Sequence, residues 1–130
     1  MSFLEILPIL GYAAAIGTLI WVALANASVS WRMVALLGAA LIAFSIWTVA
    51  EGGLMPFWFN HTTNLAGNQV WFDLLISVVL AFVLLLPRAR AQGMAILPWA
   101  LAVASTASIA LLIMMARLLW LEQTARERKA

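Results

Sequence analysis

Residues 70–86 read Val70-Trp71-Phe72-Asp73-Leu74-Leu75-Ile76-Ser77-Val78-Val79-Leu80-Ala81-Phe82-Val83-Leu84-Leu85-Leu86, and Asp73 is the only ionisable side chain among them. A hydrocarbon core about 30 Å thick offers backbone N–H and C=O groups no partner but each other, so about 20 apolar residues in helical form are what crosses it. Three further runs of the same character occupy residues 6–25, 33–50 and 94–121. The expected fold is therefore all-α: a four-helix transmembrane bundle with antiparallel up-down connectivity in a single integral membrane domain spanning 1–130. One long interfacial loop joins helices two and three, and a charged tail covers 122–130.

Composition agrees with that reading. The chain is 66% hydrophobic and 9% charged, with a mean hydropathy of +1.07, against about 25% charged residues in soluble domains. Four spans consume nearly all of its 130 residues, which leaves no room for a soluble catalytic domain. The net charge of +2 comes from basic residues scattered over joints and tail, so membrane lipid, anionic lipid in particular, is the expected partner and nucleic acid is not. Cysteine is absent, which removes disulfides, thiolate catalysis and cysteine-held metals.

Ala25-Asn26-Ala27 has the small-x-small form of a signal cleavage site, but the residues before the first apolar run carry Glu5 and no Lys or Arg. The run also exceeds the 7 to 15 residues of a signal core, so a retained helix is expected. Pro8 falls in its first turn, where a missing N–H costs least. Small residues recur as Gly11 and Ala15, Ala13 and Gly17, then Ala35, Gly38, Ala39 and Ala43, and again as Ala100, Ala104 and Ser108. Close helix packing is their simplest use. Gly52, Gly53 and Pro56 are expected to end helix two, Asn68 to cap helix three and Pro87 to stop it. Trp21, Trp31, Trp47, Trp58, Trp71, Trp99 and Trp120 all fall near expected helix ends or in the long loop, where amphipathic indole settles at the headgroups.

Four continuous spans place both termini and the long loop on one face, opposite the joints that hold Arg32, Arg88 and Arg90. The tail then answers with Arg126, Arg128 and Lys129, and Arg117 snorkels toward it, so basic residues tie across the two faces. The absence of Lys and Arg from 51–69 tilts the reading toward a cytoplasmic Arg88/Arg90 joint. Headgroup contact is expected for Arg88, Arg90 and Trp99.

Chemistry, if present, is expected at the mouth made by the long loop. Glu51 ends helix two, Asp73 lies about one turn into helix three, and His61 stands between them in sequence. An acid near hydrocarbon is expensive unless hydrated, paired or neutral. The bland explanation makes Asp73 an answer to a helix dipole and Glu51 a wet headgroup residue. The sharper one gathers Glu51, His61 and Asp73 into a polar pocket under Phe57, Trp58, Trp71 and Phe72, able to hold a proton, a cation or a polar ligand. No short ligand pair favours a metal, and no cofactor or catalytic residue is indicated. Arg117 is expected to reach water or to pair with Glu5 or Glu51. The sequons at Asn26 and Asn60 read as chance.

Asp73-Leu74-Leu75-Ile76-Ser77, followed by an apolar run and then Arg90-Ala91-Gln92-Gly93-Met94, resembles the bacterial membrane proteins grouped as domain of unknown function 2834. Trp99, Ser108-Ile109-Ala110-Leu111 and the charged tail follow in the same order, and the likeness runs from about Trp31 onward. Arg88 and Leu112 depart from the family pattern, which often has an acid and a proline there. The resemblance implies a shared helical arrangement, a bacterial inner membrane, and Asp73, Ser77, Arg90 and Gly93 as marked positions without roles. Read from the residues alone, Gly93 is a helix stop and Arg90 a membrane-surface cation. Small multidrug exporters are similar in size, but they rely on a mid-span glutamate, whereas Glu5 lies at the edge of its span.

Three classes of function follow. The first is a non-enzymatic structural, accessory or interaction component that packs against itself or a membrane partner. The second passes a small solute or proton at the Glu51, His61 and Asp73 mouth. The third is an enzyme on an apolar lipid or isoprenoid.

Overall fold

The computed structural model describes residues 2–25 and 28–129. Among them the secondary structure is helical throughout: α1 (Phe3–Ala25), α2 (Trp31–Gly52), α3 (Met55–Thr62), α4 (Leu65–Ala91), α5 (Ile96–Thr106) and α6 (Ser108–Glu127). Four of these, α1, α2, α4 and α6, are long and apolar enough to cross a membrane. Asn26 and Ala27, with the cleavage-like triplet and first sequon they belong to, lie outside the described residues.

Two expectations about boundaries change. The long loop is mostly helix: α3 occupies its middle with Pro56 in the first turn, and α4 begins at Leu65 rather than near Asn68. Asn64 is the cap, its Oδ1 accepting from Gly67 N–H at 2.8 Å. Asn68 instead donates from Nδ2 to the carbonyls of His61 and Asn64, at 2.9 and 3.2 Å. At the other end Pro87 does not stop α4, which runs one turn past it to Ala91. The stop is Gly93 at φ +68. Met94 N–H bonds Ala89 C=O and Gly93 N–H bonds Arg90 C=O, both at 3.0 Å, the paired bonds of a Schellman ending.

The largest departure is in the fourth span. It breaks at Ala107, whose φ of +48 is the one positive value on a residue other than glycine among those described. Val103 of α5 and Ala110 of α6 both pack on Val78, halfway along α4. Further on, Met114 and Leu118 of α6 join Leu85, Ala89 and Met94, with Ile96 and Trp99 of α5 beside them. The chain therefore rises along α5 only as far as the middle of α4, reverses, and returns as α6 in the direction of α4. Arg88 closes the lower end by a bidentate pair with Glu122, Nε to Oε1 at 2.8 Å and Nη2 to Oε2 at 2.7 Å. A guanidinium fork suits that geometry, although a part-exposed pair of this kind contributes only about 1 kcal/mol or less.

Helix α2 runs antiparallel to α6: Gly38 faces Leu112 and Ile113, while Ser45 and Val49 stand near Ile109 and the upper half of α4. Val34 and Gly38 are its buried residues. Helix α1 stands apart. None of its residues is buried, and Phe3 meets Trp47 of α2 with ring centroids 6.2 Å apart, which sets its start beside the end of α2.

The α5–α6 hairpin places the tail in the half that holds Arg32, Arg88 and Arg90, and so removes the tie in basic residues. All seven Lys and Arg residues fall in that half, and Glu5, Glu51 and Asp73 fall in the other.

Candidate functional site

The residues expected at the mouth occupy one region without being joined. Glu51 and Asp73 are exposed, and His61 lies in the last turn of α3, half-buried. Asp73 sits eight residues into α4, about 12 Å along it. A helix dipole acts over the first turn only, so it does not explain this carboxylate. The His61 ring packs on Trp71 at 4.9 Å between centroids, and its Nδ1 is buried with no hydrogen-bond partner. No hydrogen bond or ion pair links Glu51, His61 and Asp73, and among the described residues no three acidic or imidazole groups gather as a metal site would require.

What holds this region together is a backbone contact. Gly67 lets α3 and α4 approach so closely that a Cβ there would stand 2.5 Å from the Asn60 carbonyl oxygen. The polar residues 60–68 therefore serve largely to join two helices.

A cleft of about 590 Å³ opens beneath them, between α2 and α4 and above the tip of the hairpin. Leu54, just before α3, and Phe57 of α3 roof it, Trp71, Leu74, Val78 and Phe82 of α4 form one wall, and Ser45 and Val49 of α2 face them. Ala104, Ser105, Thr106 and Ala107 make the floor. Its walls are apolar, and a volume of this size is typical of a small-molecule site. At the floor helical backbone stops level with the middle of α4. Ser105 and Thr106 turn their hydroxyls back to Leu101 and Ala102 carbonyls at 2.8 and 2.9 Å, and such back-bonding bends helices. Thr106 Oγ1 also accepts from Ala110 N–H at 3.3 Å, which stands in for part of a cap. Neither Glu51, His61 nor Asp73 lines this cleft, and sequence reasoning singled out none of its floor residues as a site. The available signal was Ser105, Thr106 and Ser108, weak helix formers closely spaced in an otherwise apolar run.

The resemblance-marked residues are dispersed: Ser77 is exposed on α4, Gly93 forms the turn after it, and Arg90 is exposed without an ion-pair partner among the described residues. Trp99, expected among headgroups, packs against the Met114 and Leu118 cluster. Arg117 lies in the half opposite Glu5 and Glu51, so neither acid is its partner. The chain matches no family model, no curated protein and no solved structure.

Proposed function

We propose that this integral membrane protein is a non-catalytic component that works by packing against another membrane helix, from a second copy or a partner protein. The observation that carries the reading is α1. Its small residues are unused inside the fold: a Cβ added at Gly11 or Gly17 would meet nothing within 4 Å, whereas one at Gly38 would meet Leu112 at 3.5 Å. Small-residue faces allow the close backbone approach on which helix association in lipid depends. Gly17→Leu is expected to shift the chain toward monomer in native mass spectrometry from mild detergent, with Glu51→Gln leaving the distribution alone. Monomers only, and no co-purifying membrane protein, would sink the reading.

The mid-depth break favours a second reading, a small ligand or solute held at the hairpin tip. Irregular backbone at that depth is tolerated where it is buried in protein or lines a cavity, and broken helices are how many transporters build their sites. Solute uptake by liposomes that is lost in Ser105→Ala/Thr106→Ala and retained in Asp73→Asn would support the hairpin tip over the mouth.

A further inference from the structure

The hairpin brings the end of α4 and the last turns of α6 side by side, and between them lies a second cleft, of about 320 Å³, lined by Gln92, Glu122, Ala125, Arg126 and Lys129. We infer that this cleft binds the phosphodiester of an anionic phospholipid, with the Arg126 guanidinium and Lys129 ammonium as its cationic partners and the Gln92 amide as a neutral donor.

Charge decides the class of ligand. Glu122 is the only acid in the lining, and its two oxygens are already taken by Arg88 at 2.8 and 2.7 Å. Glu127 accepts from Gln123 Nε2 at 2.8 Å, on the same helix. No ion pair other than that of Arg88 with Glu122 forms among the described residues, so Lys129 has no ion-pair partner there and Arg126 meets Glu122 only through its longer-range charge, which leaves both able to take an outside anion. Arg126 Nε donates to the Glu122 carbonyl on its own helix at 3.4 Å, and its terminal nitrogens make no hydrogen bond among the described residues.

Position decides the source. The cleft lies just past Ala91, the last residue of α4, in the half that carries every Lys and Arg of the chain. The buried Met114 and Leu118 cluster precedes it on α6, and the charged tail itself supplies Glu122, Ala125, Arg126 and Lys129 of its lining. Headgroup phosphates occupy that depth, and juxtamembrane cations at an anionic leaflet attract them. A soluble phosphate would have to compete with lipid already concentrated there.

The test uses the full chain in nanodiscs of equal parts phosphatidylglycerol and phosphatidylcholine, released for native mass spectrometry. Phosphatidylglycerol is expected to be retained at least about threefold over phosphatidylcholine. Arg126→Gln/Lys129→Gln is expected to abolish the preference, and Arg32→Gln, in the same half but outside the cleft, to keep it. Equal retention of the two lipids by the native chain would overturn the proposal, as would a preference that survives the double substitution. A preference lost equally in Arg32→Gln would overturn it in favour of diffuse attraction, and full displacement by millimolar glycerol phosphate would overturn the lipid source in favour of a free phosphate site.

Discussion

Gly67 shows how one missing methyl organises the outer half of the molecule. With Asn60 O only 2.5 Å from where its Cβ would be, and backbone unable to give way as a flexible side chain could, Gly67→Ala must push α3 off α4. Overpacking of this kind costs about 1 to 3 kcal/mol. The expected outcome is local: amides of α3 exchange about 5 to 150-fold faster with deuterium, while those of α4 beyond Val78 keep their rates. Equal acceleration throughout would show that α3 is no separate unit. The same contact explains why the polar run from Asn60 to Asn68 was legible as a special segment and not as a helical joint. Polar residues and aromatics together describe a surface loop and a capped helix pair equally well, and only the Asn64 and Asn68 hydrogen bonds distinguish them.

The element that governs the architecture is the α5–α6 hairpin. Residues 94–121 are apolar throughout their first part and contain no glycine, and no proline after Pro98, so only the polar Ser105, Thr106 and Ser108 hint at a reversal. The break is placed by packing: Val103 and Ala110 both settle on Val78, and Ala107 is held at φ +48, ψ −115 to allow it. An L-residue in that region carries strain of about 1 to 3 kcal/mol. Ala107→Gly should therefore raise the midpoint of thermal unfolding in detergent, and Ala107→Val, whose branched Cβ worsens the clash, should lower it. If Gly lowered the midpoint, the segment would be continuing as helix across Ala107.

Across the whole molecule, the hairpin changes which charges share a side. A continuous fourth span sets Arg126, Arg128 and Lys129 opposite Arg88 and Arg90; the reversal sets them together, and the Arg88 pair with Glu122 fastens that arrangement. Basic residues near span ends govern orientation, so the Arg88 side is expected to face the cytoplasm and the acidic Glu51 side to face outward. The chain has no cysteine, which provides a silent background for single introductions. Gly53→Cys should react with a membrane-impermeant maleimide in intact cells, and Ala91→Cys and Ala125→Cys only after permeabilisation. Labelling of Ala125→Cys together with Gly53→Cys would refute the hairpin.

Membrane residence, the helical class and the near location of the first three apolar helices were all written in the residues, because lipid imposes one local rule on every backbone group. Gly93 could be read as a stop for the same reason: a turn past a helix end is a local event. The return of α6 from the middle of α4, the cleft above it, the isolation of α1 and the pairing of Arg88 with Glu122 could not be read this way. Each depends on which of several equally apolar surfaces meet, and hydrocarbon outside the protein does not favour one such meeting by hydropathy alone; shape complementarity between distant side chains chooses among them.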